Sequence, residues 1–148
     1  MRVYRISAYP GLGGIGGLHT AGRWNSKGRS IIYAGEHPAL AMVEVLAHMR
    51  LRLTNIPLTL KLICIDVHGG ASIAPAPALP NNWQANEPTS QSVGDAWLAA
   101  GTALLLRVPS ALLAHSTNYL INPNHPQAAT HLTEAEILPF WFDKRFLK

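Results

Sequence analysis

One carboxylate in this sequence stands out by its surroundings. Glu44 lies between Ala39-Leu40-Ala41-Met42-Val43 and Val45-Leu46-Ala47, an almost uncharged run. A carboxylate there is costly unless it is paired or faces a cleft. The plainer reading is a salt bridge on a helix face. The functional one is a carboxylate at the edge of a cleft lined by the basic N-terminal third. Arg5 and Arg23 would supply the positive side of that cleft, each among apolar or small neighbours. Arginine grips phosphate oxygens bidentately, so two arginines over a glycine loop suit a pyrophosphate. Tyr33 would stack on an aromatic ring, although many strand tyrosines simply pack in a core. The residues thus point to an anion-binding cleft with one catalytic-grade carboxylate.

Other chemistries fit less well. Gly11-Leu12-Gly13-Gly14-Ile15-Gly16 has the letters of a dinucleotide fingerprint, and Glu36 follows about twenty residues on. That motif needs a helix opening at its last glycine, and Leu18-His19-Thr20-Ala21-Gly22-Arg23 lacks an apolar helical stripe. Seven histidines invite a metal, and Glu44 and His48 stand at i and i+4, yet there is no HExxH pattern or paired Cys/His spacing. No serine sits in a G-x-S-x-G elbow. Cys64, in an apolar strand, is expected to be buried and unreactive.

The elements that would position these groups read as a single α+β domain over residues 1–148. Val3 to Ser7 is a strand, followed by a flexible glycine loop at 11–17. Arg23-Trp24-Asn25, a turn at 26–29 and Ser30 to Ala34 suggest a hairpin. Pro38 to about Arg52 is helical, with Leu40, Val43, Leu46 and Ala47 on one stripe. Leu58 to Val67 is the clearest strand, apolar enough to be covered on both faces. Residues 69–90 are proline-rich and without periodicity. Ser92 is placed to cap a helix over Val93–Ala100 that Gly101 ends. Ala103–Val108, Asn118–Ile121 and Phe140–Phe146 read as strands, and Thr133 with Glu136 has capping-box spacing for one helical turn.

Composition narrows the class. The 148 residues are 48% hydrophobic and 14% charged, with a formal charge of +4 and a pI near 9.6. Disorder is excluded, since it combines low hydrophobicity with high charge. No apolar run reaches the ~18 residues of a membrane helix. The start, Met1-Arg2-Val3-Tyr4-Arg5, has no signal-peptide core behind it, and a lone cysteine makes no internal disulfide. A cytoplasmic protein is expected. Arg2, Arg5, Arg23, Lys27, Arg29, Arg50 and Arg52 face only Glu36 and Glu44 in the first 52 residues. That imbalance suits nucleic acid, an anionic small molecule or an acidic protein partner.

Seven blocks carry a resemblance. Val3-Tyr4-Arg5, Gly22-Arg23-Trp24-Asn25, Ile32-Tyr33-Ala34, Met42-Val43-Glu44-Val45-Leu46, Gly94-Asp95-Ala96-Trp97-Leu98, Arg107-Val108-Pro109-Ser110-Ala111 and Asn118-Tyr119-Leu120-Ile121-Asn122-Pro123 occur in the order of the RES-domain family. The sequence resembles that family over nearly its whole length. The resemblance implies a toxin of a bacterial toxin–antitoxin pair, with a fold similar to the ADP-ribosyltransferases. It implies depletion of NAD by cleavage of the nicotinamide–ribose bond, through hydrolysis or phosphorolysis, and hence growth arrest. No cofactor is implied beyond NAD as substrate, with inorganic phosphate as co-substrate in the phosphorolytic case. The implied partner is a helix-turn-helix (Xre-like) antitoxin, so DNA would be met only through it.

Carried over by position, Glu44 matches the family glutamate that bonds the nicotinamide ribose and stabilises an oxocarbenium-like transition state. Arg23 and Tyr33 match the arginine and tyrosine that shape the pocket, and Arg5 matches a first-strand arginine near the NAD phosphates. Ser110 is the serine by motif, with Ser90 and Ser116 as alternatives. The loops at 11–17 and 69–90 depart from many relatives in length and content. Two other functions compete: ADP-ribosyl transfer to a protein, and a nucleic-acid-binding module. The second is disfavoured, because the arginines alternate with glycine and apolar residues rather than with stacking aromatics.

Overall fold

In the computed structural model, which describes residues 1–49 and 55–147, every strand joins one seven-stranded sheet. The strands are β1 (Arg2–Ser7), β2 (Ile32–Gly35), β3 (Lys61–Val67), β4 (Ile73–Pro75), β5 (Leu105–Pro109), β6 (Thr117–Ile121) and β7 (Leu132–Pro139). Their order is β4-β5-β6-β2-β1-β3-β7, with only β4 and β5 parallel. The helices are α1 (Gly16–His19), α2 (Pro38–Met49), α3 (Glu87–Ala100) and α4 (Ala128–His131). The expected α+β class is the observed one.

Alternation divides the side chains between two faces. Val3, Ile32, Ile63, Ile65, Leu105 and Ile121 form one core, with Leu12 of the glycine loop packed on it. On the other face, Ile6 meets Met42, Val45 and Leu46 of α2, while Leu106, Val108 and Leu120 meet Trp24, Trp83 and Trp97. Helix α2 starts close to the sheet: a Cβ on Gly35 would lie 3.2 Å from the Ala41 nitrogen. His37 caps it, with Nδ1 accepting from the Ala39 N–H at 3.1 Å.

Several local expectations give way to tertiary pairing. Residues 132–139 are strand and not a capped helical turn, because they complete the antiparallel ladder with β3 from Leu132↔Val67 to Pro139↔Lys61. Phe140–Phe146 has no strand to pair with beyond that edge. It folds back so that Phe140 and Phe142 meet edge to face at 5.0 Å, and Asp143 caps a 3-10 turn at Lys144–Phe146. Arg23–Asn25 is not a hairpin strand; only the isolated bridge Gly22↔Asn25 forms.

The 69–90 segment is more ordered than its composition suggests. It holds β4, a 3-10 turn at Trp83–Ala85 and the first turn of α3, which starts at Glu87 with Pro88 behind it rather than at a Ser92 cap. Gly101, at φ +62°, ends α3 as expected. The glycine loop closes into the four residues of α1. Arg50 and Arg52, the expected end of the second helix, lie outside the described residues.

Candidate active site

Glu44 stands mid-way along α2, half-buried and turned toward the hairpin that joins β5 to β6. Ser110, just past β5, donates its hydroxyl to Glu44 Oε1 at 2.8 Å, and Asn118 Nδ2, on β6, donates to the same oxygen at 2.8 Å. Ser110 is buried, and its Oγ accepts from the Leu112 and Leu113 N–H groups at 3.1 and 3.2 Å. With its lone pairs thus engaged, its proton is directed at Glu44. Among the described residues Glu44 Oε2 accepts no hydrogen bond.

Arg23 is held from behind by α3. The buried Ser90 hydroxyl donates to the Arg23 carbonyl at 2.5 Å, and Gln91 Nε2 donates to the Gly22 carbonyl at 2.9 Å. Gly94 lets α3 touch the loop, since a Cβ there would fall 1.7 Å from the Trp24 carbonyl oxygen. Asp95 accepts from the Ser26 N–H at 2.9 Å and forms an ion pair with Arg29, Nε to Oδ1 at 3.3 Å. The side chain so presented carries an unmet need: Arg23 Nη1 is buried without a hydrogen-bond partner. A buried guanidinium nitrogen in that state invites an anionic or carbonyl acceptor.

Tyr33 joins the two parts. Its hydroxyl donates to Asn25 Oδ1 at 2.5 Å and accepts from the Trp24 N–H at 3.0 Å. Burial pushes the phenol well above the ordinary tyrosine range, so it is neutral and donating at physiological pH. In register, Tyr33 opposes Leu120 and Gly35 opposes Asn118, which places Tyr33 and Asn118 on the same face one diagonal step apart. Glu44 reaches that face from α2, and the Arg23 loop reaches it from α3.

Arg5 does not join them. It pairs with Ile63 on the face of Val3, opposite to Ile6 and α2, and its Nη2 donates to the Tyr9 carbonyl at 2.6 Å. Burial lowers its pKa, with Glu134 acting in the other direction. The pairing of Arg5 with Arg23 over one pyrophosphate is therefore corrected by strand alternation. The two serines held as alternatives also have other work: Ser90 secures the Arg23 loop, and Ser116 accepts the Ser110 N–H through its carbonyl at 2.9 Å.

Asn118 opens the Asn118–Pro123 block of the family resemblance, which assigns it no role. The available signal was a polar residue two places before the core residue Leu120 on the same strand face. A separate polar hollow of about 420 Å³, lined in part by Arg29, Asn122 and His125, includes none of Arg23, Tyr33, Glu44 and Ser110. Among the described residues no three His, Cys, Asp or Glu side chains converge in a metal-binding group.

Comparison with known proteins identifies the family and the fold. The RES domain family model matches residues 2–143. Toxin Res of Pseudomonas putida is 42% identical over 136 residues, covering 92% of this chain and 94% of its own length. The Prs ADP-ribosylating toxin of Sphingobium sp. is 35% identical over 144 residues, covering 93% and 87%. The fold matches a chain in the crystal structure of the M. tuberculosis MbcT–MbcA toxin–antitoxin complex with a TM-score of 0.73 at 20% identity, over 95% of this chain and 84% of that one. On the family match and these identities, the chain belongs to the RES domain family.

Proposed function

We propose that this RES-domain protein is the toxin of a toxin–antitoxin pair and that it cleaves the nicotinamide–ribose bond of NAD. One observation carries the reading: α2 brings to one sheet face a carboxylate whose Oε1 is fixed by two donors and whose Oε2 has no hydrogen bond among the described residues, while the loop anchored at Tyr33 on that face carries a buried guanidinium nitrogen without a partner. NAD offers a ribose hydroxyl to the first and phosphate or amide oxygens to the second.

In the reaction, the bond from ribose C1′ to the nicotinamide nitrogen breaks and its electron pair goes to that nitrogen, so nicotinamide leaves neutral. Positive charge remains on the ribose as an oxocarbenium ion. Glu44 Oε2, fixed through Oε1, accepts the adjacent ribose hydroxyl and stabilises that charge. Arg23 holds the substrate, while Tyr33 keeps the Arg23 loop in place and offers its partly exposed ring to the nicotinamide. Water attacking C1′ and losing a proton gives ADP-ribose; inorganic phosphate in its place gives a phosphorylated ADP-ribose. We take Ser110 as the family serine because it is the one bonded to Glu44.

A second reading, transfer of ADP-ribose to a protein, is favoured by the similarity to the Prs ADP-ribosylating toxin. Purified protein incubated with adenylate-labelled NAD, with and without phosphate and a cell lysate, separates them. Free or phosphorylated ADP-ribose supports cleavage, label on protein supports transfer, and intact NAD in every arm overturns both. The partner reading places a helix-turn-helix antitoxin over this site. No helix among the described residues is long and apolar enough to cross a membrane, and a cytoplasmic NAD pool is the proposed setting. A neighbouring reading frame for such an antitoxin, whose co-expression relieves growth arrest, is the expected genetic outcome.

A further inference from the structure

We infer that Asn118 is a positioning residue for the reaction: with Ser110 it fixes Glu44 Oε1 so that Oε2 alone meets the substrate. The inference deepens the NAD-cleavage reading and rests on it for its kinetic consequence. Its geometric part stands independently. Both donors lie 2.8 Å from the same oxygen, and they arrive from two elements, the start of the β5–β6 hairpin and the opposing strand β6.

A glutamate on a helix has three rotatable bonds before its carboxylate, and unrestrained it samples several rotamers. One hydrogen bond leaves the carboxylate free to turn about that bond. Two donors converging on one oxygen from different directions remove this freedom. Asn118 is itself fixed: its backbone opposes both Gly35 on β2 and Val108 on β5, so it moves only if the sheet moves. Gly35 has no side chain to intrude between β2 and the start of α2, so Glu44 can approach the strand. The Ser110 hydroxyl is oriented by two backbone N–H groups, and Asn118 brings an amide that can only donate from Nδ2. The pair therefore distinguishes the two oxygens of a symmetric group.

Such a role predicts a specific kinetic pattern, because an orientation effect is lost in the transition state more than in the substrate complex. In Asn118→Ala, kcat for nicotinamide release is expected to fall tenfold or more while KM stays within twofold, with an unchanged melting midpoint. Asn118→Asp, of equal size but without the donor, is expected to behave at least as badly. In a Glu44→Ala background, Asn118→Ala is expected to change the residual rate by less than twofold, since the residue acts only through Glu44. Equal losses in both backgrounds, or a raised KM with kcat retained, would overturn the inference.

A second readout requires no turnover. The Asn118 side-chain amide proton resonances of isotopically labelled protein are expected to move upfield in Glu44→Ala, and unchanged resonances would overturn the inference. If the unaltered protein leaves NAD intact, the substrate reading fails while the resonance test still decides whether the two-donor cradle exists.

Discussion

Tyr33 carries a second task beside the stacking surface expected of its ring. Its hydroxyl is occupied in holding Trp24 and Asn25, the two residues after Arg23. Tyr33→Phe leaves the buried Asn25 oxygen and the Trp24 N–H without that partner, which costs about 1–3 kcal/mol. Denaturant unfolding is expected to show this loss, and nicotinamide release is expected to slow with it because the Arg23 loop loosens. An unchanged midpoint would mean that water replaces the phenol. Glu44 was legible because it sits where its neighbours give no reason for a charge, whereas Ser110 was singled out only by the motif of the family resemblance. Arg5 was legible as an arginine among apolar neighbours on the first strand but not as facing away, since the face of a strand residue depends on its partners, and Ile63 lies 58 positions along the chain.

At the scale of elements, the two helices divide the work: α2 carries the carboxylate and α3 holds the arginine loop. Gly94 is the close approach between α3 and that loop. Alanine normally suits a helix interior better than glycine. Here its Cβ would collide with the Trp24 backbone carbonyl, so Gly94→Ala is expected to destabilise the protein by about 1–3 kcal/mol and to lower activity by displacing Arg23. A calorimetric midpoint that stays or rises would contradict the packing described. Long periodic elements such as α2 and β3 were readable from sequence because their apolar residues repeat. The Thr133–Glu136 signal failed because a local cap competes with an eight-residue strand paired along β3, and the ladder prevails. Segment 69–90 was opaque because β4 is only three residues long and exists through its parallel pairing with β5.

Across the described residues of the whole molecule, three arginines are answered by acids of the same chain. Arg2 Nε meets Asp66 at 2.7 Å and its Nη1 meets Glu136 at 2.8 Å, tying β1 to β3 and β7, while Arg29 meets Asp95 and Arg145 meets Asp143. The Arg2 hydrogen bond holds the Asp66 carboxyl below the usual carboxylate range. A depressed folded pKa contributes stability above the unfolded value of roughly 3.9, and that stability is lost as pH falls through the folded value. Arg2→Ala is therefore expected to flatten the acid side of the stability curve below about pH 4 and to leave it little changed in slope near neutrality, as read by thermal melts across pH. An acid limb that keeps its slope would show that this network is not coupled to folding. Arg23 differs from these arginines in that its nitrogen is buried and unanswered, and Glu44 reaches the same sheet face from α2. The central claim is that Glu44 drives cleavage of the nicotinamide–ribose bond, and the most direct measurement is nicotinamide release from NAD by the purified protein and by Glu44→Ala at matched folded fraction. The account predicts turnover by the first and a rate roughly 10²-fold lower or less for the second; equal rates, or no release by the unaltered protein, would contradict it.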